Sequence, residues 1–196
     1  MKSGRRRSFD ATAALACAQE TFWQEGFHGA TLEVLLGRMR IRRQSAYNAF
    51  GSKDQLFRSA LTQYIQGAEA RFAQLLTTGP SPLGRVRGLL RRIAAMTARR
   101  SRRGCFITNT IVELAPHHAG VRRQVSQVLA RLEELLTATF AQAVAAGELP
   151  AGRDPRRLAR TIVVLFEGCL VVCKTNRAAI VHDALATAEL LLEPSR

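Results

Sequence analysis

A chain of 196 residues, 47% of them hydrophobic, is long enough to bury a substantial core. Its 29 lysines and arginines against 15 acidic residues leave a formal charge of +14, a surface that repels itself unless it meets polyanions, with nucleic acid the leading candidate. No run approaches the roughly 18 to 20 apolar residues of a membrane span, and the basic start Lys2-Ser3-Gly4-Arg5-Arg6-Arg7 leads into mixed helix rather than an apolar signal core, so a cytoplasmic protein without membrane association is expected.

Alanine, leucine and arginine dominate, β-branched alternation is scarce, and glycine and proline clusters fall between segments with an apolar period near 3.6. An all-α fold of about nine helices is predicted, at Phe9 to Gln24, Leu32 to Arg38, Arg42 to Asn48, Asp54 to Leu76, Leu83 to Arg100, Cys105 to Leu114, Gly120 to Ala146, Pro155 to Thr175 and Ala178 to Leu192. The fourth is the clearest, because Phe57, Leu61, Tyr64, Ala68, Phe72 and Leu75 step by three or four along one face. Thr77 to Pro82 and Gly147 to Pro155 carry turn-forming residues that interrupt the pattern.

The second and third helices, joined by a tight turn at Met39-Arg40-Ile41, form the pair that a helix-turn-helix requires, one bracing on the DNA backbone and the other entering the major groove. Leu35, Ile41 and Ala46 are the expected packing contacts between them, which leaves Arg42, Arg43, Gln44, Ser45 and Asn48 facing outward. Arginine pairs bidentately with guanine, and glutamine or asparagine with adenine, so Arg43, Gln44 and Asn48 are the candidate base readers, with Arg42 beside them. Thr31, Tyr47 and Lys53 are assigned to phosphate, Lys53 because it starts a helix whose free amides favour anions, and Arg5 to Arg7 to the backbone or minor groove.

The order Phe22, Gly26-Phe27, Thr31, Tyr47-Asn48-Ala49-Phe50, then Gly51-Ser52-Lys53-Asp54-Gln55-Leu56-Phe57 resembles the N-terminal pattern of the TetR family of transcriptional regulators. Arg40 stands where that family usually has the turn glycine, Arg42 where a capping serine is common and Ala49 where a histidine is frequent. An arginine at the turn implies either a different turn geometry or a left-handed backbone costing about 1 kcal/mol.

The resemblance implies a DNA-binding domain over residues 1–58, with the fourth helix running on to about 76 as a connector, and a signal-sensing and dimerisation domain over 59–196. It implies a homodimer through the last two helices, to which Ala159, Ile162, Val163, Phe166, Leu170, Ala184, Ala188 and Leu191 offer apolar or small faces, and a repressor released from a palindromic operator by a small molecule or by cysteine modification. The rival is a nonspecific architectural nucleic-acid binder, which the charge alone would serve. No phosphate loop, helical metal pair or Ser-His-Asp order points to an enzyme, and no cofactor is expected.

Two features compete as the sensor. Met96, Phe106, Asn109, Val112, Glu113, Phe140, Phe166 and Cys169 mix apolar walls with polar groups, as small-molecule sites do, although each also suits an ordinary core. Cys105 begins a helix just after Arg99-Arg100-Ser101-Arg102-Arg103, where amides and cations would stabilise a thiolate reactive toward oxidants and electrophiles. The segments around Gly104-Cys105-Phe106 and Phe166 to Lys174 resemble TetR relatives that sense through a cysteine with a lysine in reach, here Lys174. Cys169 and Cys173, one turn apart, could pair with Cys105. A metal held with His117 and His118 lacks any recognised spacing, and cysteine is also a small buried hydrophobe.

Overall fold

The computed structural model describes residues 9–98, 103–175 and 177–193. Arg5 to Arg7 and Arg99 to Arg102, which figure in the readings above, lie outside them. The described residues form nine α-helices and no strand. Helix α1 (Ala11–Gly29) opens on Asp10, whose carboxylate accepts the N–H groups of Thr12 and Ala13 at 2.8 and 3.2 Å, satisfying amides that have no partner within the helix. Its regular geometry breaks at Gly26, where φ is +73° and glycine alone is unstrained. Helices α2 (Leu32–Met39) and α3 (Arg43–Phe50) follow, and α4 (Lys53–Thr77) begins with a capping box in which Ser52 and Gln55 bond reciprocally.

The second half contains α5 (Pro82–Ala98), α6 (Phe106–Glu113), α7 (Ala119–Ala145), α8 (Pro155–Val172) and α9 (Ala178–Leu191). The predicted extension of α8 through Thr175 tightens into a 3-10 turn over Cys173–Thr175. Helices α7 and α8 pack as a hairpin, α4 and α5 lie against α7, and α9 covers α5 and α8. The short α6 is wedged among α1, α4, α7 and α8.

One hydrophobic core runs through both halves. Its joint is aromatic, with Phe57 on α4 meeting Phe22 and Phe27 edge-on at 5.1 Å, and Phe106 of α6 inserted between Phe57 (5.6 Å) and Tyr64 (5.5 Å). Such perpendicular pairs add to the area they bury, so α6 locks the first helices to the rest. No helix among the described residues is long and apolar enough to cross a membrane.

Candidate nucleic-acid interface and ligand cavity

Helices α2 and α3 are held by buried Leu35 and Ala46, with Ile41 partly buried against the same core. Between them Arg40 takes the left-handed conformation (φ 54°, ψ 41°), so the departure from glycine leaves the turn geometry intact. The turn is closed by Ile41 N–H donating to Leu36 O and Arg40 N–H to Gly37 O, each at 3.3 Å, the two bonds of a Schellman cap. Arg42 sits at the α3 N-cap without supplying a side-chain bond, and Thr31 caps α2 by accepting from Val34 N–H at 3.3 Å.

The outer face of α3 presents Arg42, Arg43, Gln44, Tyr47 and Asn48 to solvent, while Ser45 is half-buried. Arg43 Nη2 lies 2.9 Å from Glu33 Oε1 on α2, and Gln44 Nε2 donates to Asn48 Oδ1 at 3.0 Å. The hydrogen bond from its own backbone N–H, with Arg43 and Thr31 nearby, holds the exposed Glu33 carboxyl below the usual range. The Lys53 ammonium stands 4.6 Å over the Phe27 ring, and partial burial lowers its pKa while nearby Glu113 works the other way.

Glu113 is engaged between two helices. Its two carboxylate oxygens accept the N–H groups of Phe27 (3.0 Å) and His28 (2.9 Å), just past the Gly26 break, so the last residue of α6 ties down the end of α1. A Cβ at position 26 would come within 2.8 Å of that carboxylate, which is a second reason for glycine there. The sequence set Glu113 and Asn109 among the polar groups of a small-molecule site but could not show that Glu113 meets α1.

A cavity of about 1090 Å³ lies among α1, α4, α5, α7 and α8, with the segment 103–107 at one end. Of the predicted sensor residues it is lined by Met96, Cys105, Phe166 and Cys173. The others are elsewhere. Phe106 fills the aromatic joint, Cys169 and Phe140 are core, Val112 is exposed, and Lys174 Nζ donates to Asn109 Oδ1 while Asn109 Nδ2 donates to Arg103 O at 2.8 Å. Residues that sequence reading missed include Gln19 and Trp23 of α1, Gln63 on α4, Arg103 and Glu167. The α4 stripe through Tyr64, Ala68, Phe72 and Leu75, read from sequence as one face of a long helix, lines the cavity.

The described surroundings of Cys105 favour its neutral thiol. The residue is the N-cap of α6 but is only 6% exposed, and burial pushes its thiol up despite the Thr108 backbone amide and the Tyr64 hydroxyl, which donates to Sγ at 3.6 Å. Glu167 nearby adds to the rise. Lys174, beside Gly104, is engaged with Asn109. Burial raises Cys169 and Cys173 as well, and Tyr64 is raised by burial and then by Cys105. His118 Nε2 lies 2.9 Å from Asp54 Oδ1, and no cluster of three metal-ligating side chains occurs among the described residues.

A helix-turn-helix with a cationic, amide-bearing outer helix, joined to a helical body that encloses a cavity, defines a DNA-binding transcriptional regulator. Residues 82–188 match the family described as tetracyclin repressor-like, C-terminal domain, so the chain belongs to the TetR family of transcriptional regulators. It is 30% identical over 147 residues to the HTH-type transcriptional regulator YezE of Bacillus subtilis (strain 168), covering 74% of this chain and 76% of that one. To the HTH-type transcriptional repressor ComR of Escherichia coli (strain K12) it is 29% identical over 167 residues, 84% of this chain and 80% of the relative. A cysteine mutant of the TetR family transcriptional regulator CifR, solved with 26-bp operator DNA, superposes with a TM-score of 0.80 at 32% identity, covering 93% of this chain and 98% of that one. These relatives are regulators rather than enzymes, and the architectural binder is not favoured.

Proposed function

We propose that the protein is a dimeric repressor that holds a palindromic operator through α3 and lets it go when a small molecule fills the cavity. In this reading residues 1–58 are the DNA-binding unit and 59–196 the sensing and dimerisation unit. Arg43, Gln44 and Asn48 read base edges, flanked by Arg42 and Ser45, and Thr31, Tyr47 and Lys53 meet phosphate. The observation that carries it is the solvent-facing row on α3, with Arg43 held only by an exposed ion pair to Glu33 and therefore free to exchange that partner for a guanine.

Dimerisation is supported by apolar side chains left on the surface of the last two helices, Val164 (72% exposed), Val171, Ile180, Leu190 (63% exposed) and Leu191. Of the set expected from sequence, Leu191 is exposed and Val163 and Ala184 are half-buried, while Ala159, Ile162, Phe166, Leu170 and Ala188 are buried within the subunit. A two-fold pair would set the recognition helices about 34 to 36 Å apart, one DNA turn. Modification of Cys105 is a second route to release, because that thiol and Cys173 both face the cavity, where an electrophile must enter to reach them. Operator selection from random DNA, with and without candidate inducers, tests the reading. It expects an inverted repeat bound by wild type and lost in Arg43→Ala, whereas binding that tracks salt with no preferred sequence refutes it.

A further inference from the structure

The end of the cavity nearest the DNA-binding helices is polar, and its polar atoms are incompletely paired. Gln19 Oε1 on α1, Gln63 Oε1 on α4 and Arg103 Nε are all shielded from solvent and have no hydrogen-bond partner among the described residues. Polar atoms without partners are disfavoured, so a group that fills the space and bonds to them has a built-in advantage. Either glutamine amide can turn over to offer N–H in place of oxygen, so the three side chains together want a partner that both donates and accepts.

Charge decides the class of that partner. Arg103 is already neutralised by Glu20 at 2.5 Å and stacked on the Trp23 ring at 4.2 Å, and Arg131 is paired with Glu69. Burial pushes the Glu167 carboxyl toward its neutral form while Thr108 Oγ1 donates to it at 2.6 Å. Arg71 and Arg92, the remaining charged lining residues among those described, are solvent-exposed, so water screens their charge. Among the described residues, an ion brought to the polar end would lose its hydration and meet only counter-charge that is already paired or screened by water. Beyond that end the walls are Phe72, Phe166, Leu132, Leu135 and Met96.

From this geometry we infer that the cavity takes an uncharged molecule with an apolar body, whose head, a diol or carboxamide for example, bonds to Gln19, Gln63 and Arg103 and so touches α1 of the DNA-binding unit directly. The inference rests on the reading of the cavity as an inducer site.

Trp23, the single tryptophan of the chain, lines the same end and reports occupancy by its fluorescence. The full-length protein is titrated with four probes on one skeleton: 3-phenyl-1,2-propanediol, 3-phenylpropanoate, 3-phenylpropylammonium and propylbenzene. The diol is expected to bind most tightly, and Gln19→Leu and Gln63→Leu are each expected to weaken it about fivefold while leaving propylbenzene unchanged. A charged probe that outranks the diol, propylbenzene that equals it, variants that bind the diol like wild type, or no probe bound at millimolar concentration each overturn the inference. The wild-type ranking decides the matter even if a variant misfolds. Operator binding measured in parallel without probes separates the two readings: its absence removes the regulator function, whereas intact operator binding with the wrong probe ranking removes only the ligand class.

Discussion

Glu113 ties the sensing helix α6 to the first helix of the DNA-binding unit, and removing it should loosen that joint measurably. Its carboxylate accepts two backbone N–H groups, from Phe27 and His28, at 3.0 and 2.9 Å. Hydrogen bonds to a charged acceptor contribute about 1.5–3 kcal/mol each, and a half-buried site open to water retains the lower part of that range, so Glu113→Ala should cost about 2–4 kcal/mol. Glu113→Gln keeps one acceptor oxygen and should cost about half. At about 2–4 °C per kcal/mol for a chain of this size, the midpoint falls by about 4 °C or more in the alanine variant. Thermal unfolding gives the order wild type, glutamine, alanine, and hydrogen exchange should show faster exchange at the Phe27 and His28 amides. An alanine variant as stable as wild type, with those two amides still protected, would refute the assignment of Glu113 as the tie.

Replacing Arg40 by glycine removes a left-handed penalty of about 1–2 kcal/mol and adds about 0.5–1 kcal/mol of unfolded-chain entropy, so a denaturant melt should show a gain of about 0.5–1 kcal/mol. Cys105 in the unliganded protein should alkylate with iodoacetamide more slowly than a free thiol at neutral pH, its rate rising only above the ordinary thiol range, and a rate above that of free cysteine counters the burial argument. Glu167 titrates above its ordinary value in the folded chain, so the stability it contributes is present at acid pH and is lost as the pH rises through the folded pKa. Glu167→Gln, which keeps an oxygen for Thr108, should therefore gain on wild type in thermal melts at pH 8 relative to pH 4, and an equal difference at both values excludes a buried carboxyl. Glu33→Gln frees Arg43 and removes a negative charge beside the DNA face, so operator affinity should rise in a mobility-shift assay.

The helices were legible in the sequence because each carries its own signals. The apolar step of three or four marks α4 from Phe57 to Leu75, turn residues separate α4 from α5 and α7 from α8, and the short α2 and α3 bracket a tight turn. The outward face of α3 was legible for the same reason, since local packing of Leu35 and Ala46 leaves Arg43, Gln44 and Asn48 no other direction. What only the tertiary structure decided is what meets what across long separations. Glu113 was read as a pocket carboxylate, and its bonds to α1 appear only once α6 lies on that helix; likewise the burial of Cys105 beside Tyr64 and Glu167 comes from segments distant in the chain. Gln19 and Trp23 fall on a helix that sequence reading gave wholly to DNA binding, yet they line the cavity. Helical periodicity tells which side of a helix faces inward, but burial, desolvation and the partners of a polar atom depend on neighbours supplied by distant segments, which the local pattern does not encode.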